Sequence, residues 1–453
     1  MDLRGEKVLV VGLARTGLAT AAFLKAKGSI VSTTEMKPKE AMGEGLQELE
    51  GMGLSRMEWG GHRAETFLSQ DLIVVSPGVD LKIDPIQQAM KKGIQVISEI
   101  ELAYRFIQIP IIAVTGTNGK TTTTHLIGEM LKEKGKKVGV GGNVGDPLIL
   151  FAEGGDRWEV LVVEISSFQL EAIEDFRPKI SILLNITEDH LDRYTSYEEY
   201  IEAKARIFVN QNSGDVAILN GDDPIVTGLG KKVKAAKILF SLEKKPKEGA
   251  FSNGEKILLR FKGKEESYSL AKTPLKGVHN VENMMAALTA ARVYGASNGA
   301  IENVLNRFEG LEHRLEFVRE IDGIRFFNDS KGTNVGSVVK SIQSFSDPVI
   351  LIAVGKDKNG DLSPLRGLIK ERVKQLILIG EAKGRMKREW EGLTGTTLAQ
   401  TLEQAVLLAF QRAKRGDVVL LSPACSSFDM FKDYKERGKV FKDAVRRLRE
   451  AEE

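Results

Sequence analysis

A glycine-rich segment between an apolar run and a helical pattern constrains the fold of this chain more than any other feature. Residues 109–114 (IPIIAV) have the unbroken apolar character of a strand that is buried on both faces. The run continues into TGTNGKT and a helical pattern that reaches Lys134, with Gly135 at its C-terminus. Glycines let backbone N–H groups approach phosphate oxygens, and a helix N-terminus adds favourable partial charge. The segment predicts a phosphate-binding loop within an α/β domain, and a chance glycine turn is the alternative.

Two residues of this loop have specific expected roles. Lys120 should reach the β- and γ-phosphates of a nucleotide, and the Thr121 hydroxyl should bind Mg²⁺. The standard loop has its first glycine five residues before its second, a position that Val114 occupies here. This departure indicates a subfamily with a shortened loop.

Strand and helix patterns alternate along the rest of the chain, which at 453 residues is too long for one ordinary core. Such alternation is typical of doubly wound α/β domains. It predicts three consecutive α/β domains: a Rossmann-like domain at 1–98, a central P-loop ATPase domain with an antiparallel edge at 99–310, and a Rossmann-like C-terminal domain at 311–453. The predicted strands are Lys7–Val11, Ile30–Thr33, Leu72–Val75, Gln95–Ile97, Val160–Val163, Ile180–Leu184, Ile257–Phe261, Glu266–Leu270, Ile324–Phe327, Val349–Val354, Leu376–Ile379 and Val418–Leu421.

Composition argues against several classes of protein. The formal net charge of +3, from 65 basic and 62 acidic residues, is too close to balance for a nucleic-acid binder. No stretch approaches the roughly 18–20 apolar residues that a membrane helix needs, and the N-terminal apolar run is too short for a signal sequence. The single cysteine, Cys425, suits a reducing compartment. We therefore expect a soluble, cytoplasmic protein.

Two side chains that follow predicted strands are candidate metal ligands. Glu164 ends the Val160–Val163 strand, and a carboxylate beside a phosphate loop is suited to bind Mg²⁺. The segment 166–169 (SSFQ) follows it and could line the same pocket. His190, in the TEDHLD segment after Ile180–Leu184, is a second candidate. The alternatives are a strand-end acid bound to a loop amide and a structural histidine.

Lys204 lies on the apolar face of a predicted helix. Ser196 and Glu199 have the spacing of a capping box, and the apolar stripe behind them contains Tyr200 and Ile207. Burial disfavours the charged form of lysine, and a neutral amine can react with CO₂ to give an anionic carbamate that bridges metal ions. The alternative is a lysine whose stem packs while its charged head reaches solvent.

The segment Gly12–Gly17 (GLARTG) follows the first strand and matches the dinucleotide fingerprint, with alanine at the middle glycine. Such a segment fits NAD, but it fits equally well any nucleotide diphosphate lying on a helix N-terminus.

Polar groups also follow the strands of the third domain, where lysine and arginine would suit an acidic amino-acid substrate. Each of these polar groups could instead be an ordinary surface residue.

Taken together, these residues resemble those of the Mur ligase family over essentially the whole chain. The matching motifs are GTNGKTT (116–122), EISSFQ (164–169), NITEDHLDR (185–193), HNVEN (279–283), His313-Arg314, DSKGTN (329–334) and SPACSS (422–427). The shortened phosphate loop is the form that this superfamily uses. DSKGTN, SPACSS and Tyr434 most resemble the member that adds D-glutamate, although some members have Phe at the Tyr434 position and residues 33–35 match poorly.

The resemblance implies a role for each matching residue. ATP would bind Gly116, Thr117, Asn118, Gly119, Lys120, Thr121, Thr122, Asn280, Asn283, Arg314 and Asp329. Two Mg²⁺ ions (Mn²⁺ being possible) would bind Thr121, Glu164, His190 and Lys204, with Lys204 as the carbamate. Ser76 and Asn143 would contact a UDP-sugar, and Lys331, Thr333, Lys358, Ser427 and Phe428 would bind D-glutamate. Lys120, His190 and Lys204 would be catalytic.

The implied activity is ATP-dependent addition of D-glutamate to UDP-N-acetylmuramoyl-L-alanine through an acyl phosphate, in peptidoglycan precursor synthesis. The implied partners are these small molecules only, and the protein is expected to be a monomer. Two alternatives stay open: a related amide ligase of the Mur or folylpolyglutamate type with another amino-acid acceptor, and a nucleotide-binding regulator without catalysis. Amino-acid-dependent ADP release distinguishes them.

Overall fold

The computed structural model describes residues 1–42, 45–153, 155–190, 193–356, 361–425, 427 and 429–448. These residues form three sheets that follow one another along the chain, within residues 7–98, 111–269 and 316–421. The prediction of three consecutive α/β domains is confirmed, while their boundaries near 98 and 310 stay predictions. No helix in the described part of the chain is long and apolar enough to cross a membrane.

The first sheet has five parallel strands in the order β3-β2-β1-β4-β5. Its central strands are buried because their apolar runs are covered by helices on both faces. The strands are β1 (Lys7–Val11), β2 (Ile30–Glu35), β3 (Arg56–Trp59), β4 (Leu72–Val75) and β5 (Gln95–Ser98). The helices are α1 (Arg15–Ala26), α2 (Gly45–Gly51), α3 (Ala64–Leu68), α4 (Asp84–Lys91) and α5 (Glu99–Tyr104), which leads into the next sheet.

The second sheet has nine strands in the order β14-β13-β12-β11-β10-β9-β6-β8-β7. The β12–β13 and β13–β14 pairs at one edge are antiparallel, as predicted for an edge of this domain. The other strand pairs of this sheet are parallel. The strands are β6 (Ile111–Thr115), β7 (Val138–Gly142), β8 (Val160–Glu164), β9 (Ile180–Leu183), β10 (Val216–Asn220), β11 (Ala236–Ser241), β12 (Gly249–Ser252), β13 (Lys256–Phe261) and β14 (Lys264–Ser269). The helices are α6 (Lys120–Glu133), α7 (Ser167–Leu170), α8 (Tyr197–Ala205), α9 (Pro224–Gly230), α10 (Val278–Tyr294) and α11 (Asn298–Arg307).

The third sheet has six strands in the order β15-β16-β20-β17-β18-β19, with only the β15–β16 pair antiparallel. The strands are β15 (Glu316–Ile321), β16 (Ile324–Asn328), β17 (Val349–Val354), β18 (Val373–Ile379), β19 (Gly395–Leu398) and β20 (Val418–Leu421). The helices are α12 (Val335–Gln343), α13 (Arg366–Arg372), α14 (Lys383–Glu389), α15 (Leu402–Arg412) and α16 (Tyr434–Arg447). Ligands of such sheets bind beyond the carboxyl ends of the strands, so the loops at those ends are the expected binding region.

The predicted strands are all present, but several others were not predicted. Four of these, β3, β7, β15 and β19, lie at the edges of their sheets. An edge strand needs less apolar sequence than a central one because one side of it faces solvent. Strand β18 also begins three residues before the predicted start, because exposed Lys374 and half-buried Gln375 interrupt its apolar pattern.

Candidate active site

The predicted phosphate-binding loop connects β6 to α6. Gly116 and Gly119 have φ angles of 146° and 86°, which a residue with a Cβ rarely adopts. The loop is held against the end of β9 by Asn185, whose carbonyl accepts from Thr117 N at 2.9 Å and whose side-chain Oδ1 accepts from Asn118 N at 2.8 Å. The predicted strand–loop–helix unit is therefore present, with the loop backbone at the N-terminus of a 14-residue helix.

Lys120 and Thr121 begin helix α6 and lie beside Glu164 at the end of β8. Lys120 Nζ donates to the carbonyls of Gly116 (2.9 Å) and Thr117 (2.8 Å), and burial lowers its pKa although Glu164 opposes this. The Thr121 hydroxyl donates to Glu164 Oε2 at 2.6 Å. Burial tends to raise the pKa of Glu164, but Lys120 and the Thr121 hydrogen bond hold it below its ordinary value. The lowered pKa favours the ionised form of Glu164 beside the loop, which is the form in which a carboxylate binds a metal.

Lys204 lies on the buried face of helix α8, as predicted from the apolar stripe. Its side chain is 2% exposed, its Nζ donates to Gly116 O at 2.9 Å, and it lies 4.6 Å from the centre of the Tyr200 ring. Burial, and then the nearby charge of Lys120, lower the pKa of Lys204 well below its ordinary value. The amine is therefore buried at the predicted phosphate-binding loop, and its head does not reach solvent.

The cap of helix α8 differs in part from the prediction. Ser196 Oγ accepts from Glu199 N at 3.3 Å, as a capping serine should. The Glu199 carboxylate, however, accepts from the backbone N and the hydroxyl of Thr195. The helix begins where predicted, but the reciprocal half of the capping box lies one residue earlier.

His190 follows β9 and has a φ of 57°, in the left-handed region that few non-glycine residues adopt. Its ring lies edge-on to Phe168 at 4.8 Å between ring centres, and its Nε2 is 3.8 Å from Asp189 Oδ2. Such backbone conformations persist only where surrounding structure maintains them, and they are frequent at functional sites.

A cavity of about 260 Å³ brings most of the predicted residues together between the second and third sheets. It also contains Ser166, Ser167 and Phe168, as expected for the segment after Glu164. The predicted residues that line it are Thr117, Asn118, Gly119, Lys120, Asn143, Glu164, His190, Lys204, Arg314, Lys331 and Thr333.

The predicted metal-binding side chains are suited to magnesium only if a further anionic ligand is supplied. Among the described residues, no three His, Cys, Asp or Glu side chains are grouped so that they alone could hold a metal. The predicted set contains one carboxylate (Glu164), one imidazole (His190) and one hydroxyl (Thr121). Since Mg²⁺ prefers oxygen ligands, a carbamate on the buried Lys204 would complete a fitting set.

An adjoining cavity of about 120 Å³ is lined by some of the residues predicted to bind the nucleotide, but not by Gly116, Thr117, Lys120 or Thr121. Gly119, Thr122, Asn280, Asn283, Arg314 and Asp329 all line it. Asp329 accepts from the hydroxyls of Ser341 and Ser422, both at 2.7 Å. Burial raises the pKa of Asp329 to about 6 despite these hydrogen bonds.

The predicted D-glutamate residues are only partly brought together. Lys331 Nζ lies 3.9 Å from the centre of the Tyr434 ring and faces both cavities, and Thr333 lines the larger of the two. Ser427 is buried, at 3% exposed, in the loop after β20. Lys358 and Phe428 lie outside the described residues.

A third cavity, of about 550 Å³, lies between the first and second sheets and is lined by Ser76 and Asn143. Ser76 Oγ donates to Gly12 O at 2.7 Å, and Asn143 Nδ2 donates to Glu164 Oε1 at 2.9 Å. Gly12, Leu13, Ala14 and Thr16 of the GLARTG segment also line this cavity. Asn143 therefore connects the predicted UDP-sugar cavity to the predicted metal ligand.

Arg437 was not predicted from the sequence, although it organises the loops of the third domain. It is 0% exposed and donates to the carbonyls of Ser330 (2.8 Å), Val354 (3.1 Å) and Cys425 (3.3 Å). Burial lowers its pKa to about 10. The only sequence signal was its position on helix α16, where an arginine is expected to face solvent.

Comparison with known proteins identifies the family. Three family models match consecutive parts of the chain: the MurD-like N-terminal domain of Mur ligases (6–98), the Mur ligase middle domain (114–291) and the glutamate ligase domain of Mur ligases (313–425). The chain is 53% identical over 448 residues to the UDP-N-acetylmuramoylalanine–D-glutamate ligase of Geotalea uraniireducens, with 99% of each chain covered. It is 46% identical to the ligase of that name from Koribacter versatilis, with both chains fully covered.

Solved structures show the same fold at lower identity. A pseudomurein peptide ligase of type C from Methanothermus fervidus has a TM-score of 0.63 at 19% identity, covering 98% of this chain and 100% of its own. The UDP-N-acetylmuramate–alanine ligase of Thermotoga maritima has a TM-score of 0.60 at 18% identity, covering 97% and 99%. From the matched domains and the identity over its full length, this chain belongs to the Mur ligase family.

Proposed function

We propose that this protein is an ATP-dependent ligase that adds D-glutamate to UDP-N-acetylmuramoyl-L-alanine in peptidoglycan precursor synthesis. The observation that carries the proposal is the convergence of Lys120, Glu164, Lys204 and Lys331 on one cavity between the second and third sheets. The names of relatives that are 50–53% identical over the whole chain support the substrate assignment.

The proposed reaction has two steps. A carboxylate oxygen of the alanyl group attacks the γ-phosphorus of ATP, the bond to the bridging oxygen breaks, and ADP leaves. The amine of D-glutamate then attacks the acyl carbon, phosphate leaves with the electrons of the C–O bond, and the amine nitrogen loses a proton. Because phosphoryl transfer needs mainly positioning and charge stabilisation, the residues at the cavity are of the right kind.

Residues of this chain position the reactants from two sides. The N–H groups of Thr117 and Asn118 donate to Asn185, which fixes the loop. The first backbone N–H groups of helix α6 would then bind phosphate, and Lys120 would supply a positive charge beside them. Asn143 and Ser76 would place the UDP-sugar so that its carboxylate faces the same cavity, since both line the neighbouring one. Lys331 would attract a carboxylate of D-glutamate from the third-domain side.

Contacts between the second and third domains would keep water away from the acyl phosphate. Arg314 Nη2 donates to Thr121 Oγ1 at 2.6 Å, and Ser337 Oγ donates to Asn118 Oδ1 at 2.7 Å. Asn334 donates to Asn118 and to Asp189. Excluding water protects a reactive intermediate from hydrolysis.

We include Mg²⁺ and a carbamate on Lys204 in the proposal. Two Mg²⁺ ions would be held by Thr121, Glu164, His190 and the Lys204 carbamate, and they would offset the negative charge on the transferred phosphoryl group. The carbamate forms when the neutral Lys204 amine attacks the carbon of CO₂ and loses one proton. Burial of Lys204 supports this step because it favours the neutral amine. We also propose that the protein is a monomer and that it is located in the cytoplasm.

The test is ADP release by the purified protein with UDP-N-acetylmuramoyl-L-alanine, ATP, Mg²⁺ and a panel of amino acids. We expect release to depend on D-glutamate, with a product whose mass equals both substrates less one water. Release with another amino acid instead would identify a related ligase. No release with any acceptor would favour a regulator without catalysis.

A further inference from the structure

Arg193 connects the first domain to the loop that carries His190. Its side chain is 15% exposed, and its Nη2 donates to Val79 O at 2.8 Å and to Glu171 Oε2 at 2.9 Å. Its Nη1 donates to Pro77 O at 3.3 Å. Val79 and Pro77 belong to the first domain, whereas Arg193 and Glu171 belong to the second.

On the first-domain side, the contacted carbonyls belong to a tight turn at the proposed UDP-sugar cavity. Ser76 begins this turn, which Val79 closes by donating its N–H to Ser76 O at 3.0 Å. Residues Ser76 to Val79 all line the cavity of about 550 Å³. A shift of this turn would therefore displace the wall of that cavity.

On the second-domain side, Arg193 contacts the groups that hold His190. Its guanidinium carbon lies 4.2 Å from the centre of the Phe168 ring, and Phe168 in turn packs against the His190 ring at 4.8 Å. The backbone N–H of Arg193 donates to His190 O at 3.0 Å. One residue thus supports both the ring and the backbone of His190, whose left-handed conformation needs such support.

We propose that Arg193 is a positioning residue that couples the wall of the UDP-sugar cavity, residues 76–79, to the placement of His190. The inference rests on the proposed function, because it assigns that cavity to the UDP-sugar. Arginine suits this role since its planar fork can donate to several acceptors while its face stacks on an aromatic ring.

Arg206 provides a matched control in the same region. It also donates to two backbone carbonyls, those of Leu170 and Ile173, both at 2.7 Å. It lines the same groove of about 300 Å³ as Arg193. Both of these acceptors lie within the second domain, so losing Arg206 removes comparable bonds without breaking the connection to residues 76–79.

The experiment compares Arg193→Met, Arg193→Lys and Arg206→Met with the unaltered protein in the full ligase assay. For Arg193→Met we expect the KM for UDP-N-acetylmuramoyl-L-alanine to rise and kcat to fall, each by about tenfold or more, because small displacements at a reacting centre are costly. The KM for ATP should change less than about twofold, since the nucleotide cavity has no contact with Arg193 in the structure. Arg193→Lys should restore part of both losses because it keeps the charge.

Arg206→Met should lower the thermal midpoint while leaving kcat and the UDP-sugar KM within about twofold of the unaltered protein. Equal kinetic losses in Arg193→Met and Arg206→Met would overturn the inference. It would also be overturned if the KM for ATP of Arg193→Met rose as much as its KM for UDP-N-acetylmuramoyl-L-alanine. If Arg193→Met does not fold, Arg193→Lys and Arg206→Lys are compared with the same expectation at smaller magnitude. Activity of the unaltered protein is measured alongside, so its absence would contradict the proposed function rather than the role of Arg193.

Discussion

Arg314 of the third domain donates from Nη2 to the hydroxyl of Thr121 in the second domain, at 2.6 Å. The same hydroxyl donates to Glu164 Oε2, also at 2.6 Å. The guanidinium therefore reaches the position where the phosphates and the metal of the proposed reaction would meet. The position of the third domain relative to the second therefore determines whether Arg314 contacts the predicted phosphate-binding loop.

Replacing Arg314 with alanine should raise the KM for ATP by about tenfold and lower kcat, because a charged donor facing the phosphates is lost. Arg314→Lys should recover only part of the loss, since lysine lacks the planar fork. Steady-state kinetics with varied ATP measures both. Arg307→Ala, which removes an exposed ion pair with Glu133, serves as the control and should leave the KM for ATP unchanged.

Lys120→Ala should lower ADP formation by about 10³-fold or more, because the transferred phosphoryl group loses a stabilising positive charge. The fold should change little, although the loop loses the Lys120 hydrogen bonds to Gly116 O and Thr117 O. Circular dichroism and the thermal midpoint monitor the fold. Lys132 lies on the same helix and is exposed, so Lys132→Ala should remain fully active. Near-normal ADP formation by folded Lys120→Ala would show that the phosphate-loop assignment is incorrect.

Lys204→Ala should be nearly inactive because the metal loses the proposed carbamate ligand. In the unaltered protein, ¹³C-bicarbonate should produce a carbamate ¹³C resonance that is absent from the variant. Carbamate needs the neutral amine, so the lowered pKa of Lys204 extends its formation to lower pH, and occupancy should fall as acidification protonates the amine. A short carboxylate or chloride should restore part of the activity. Full activity of Lys204→Ala, or a high-resolution map with a bare amine and both metals bound, would contradict the proposal.

Lys331→Ala should raise the KM for D-glutamate by about tenfold while the KM for ATP changes far less, because Lys331 faces the cavity from the acceptor side. Lys370 is exposed on helix α13 of the same domain, and Lys370→Ala should leave both constants unchanged. An unaltered D-glutamate KM in Lys331→Ala would place the acceptor elsewhere.

Glu99 should make the stability of the protein depend on pH. Burial raises its pKa from 4.5 to about 7, while backbone N–H groups at Ile149 and Leu148 oppose the shift. A raised carboxyl pKa gives a stabilisation that is complete below 4.5 and is lost as the pH rises through about 7. Relative to Glu99→Gln, the unaltered protein should lose up to about 3 kcal/mol of unfolding free energy over this window, since one unit corresponds to about 1.4 kcal/mol.

Urea unfolding at several pH values measures the Glu99 effect. Glu65→Gln, at an exposed position on α3, should show the same pH dependence as the unaltered protein. Parallel curves for Glu99→Gln and the unaltered protein would show that Glu99 keeps an ordinary pKa.

The sequence alone was sufficient for features that depend on neighbouring residues. The strand–loop–helix unit at the predicted phosphate-binding loop could be predicted because the buried strand, the glycines and the helix start are contiguous from 109 to 121. The inward orientation of Lys204 could be predicted because helical periodicity assigns each residue a face. Most central strands were likewise evident, since burial on both faces requires a continuous apolar run. Strands β10, β11 and β12 of the second sheet are also central but were not predicted.

Only the tertiary structure decided which distant groups meet. Arg314 and Thr121 are 193 residues apart, and Arg193 donates to carbonyls 114 and 116 residues away. No local pattern encodes such pairs, because an arginine on a helix or loop has the same local sequence whether it faces solvent or another domain. These contacts depend on how three independently patterned sheets pack together, and that packing is set by the summed shape and charge of whole surfaces.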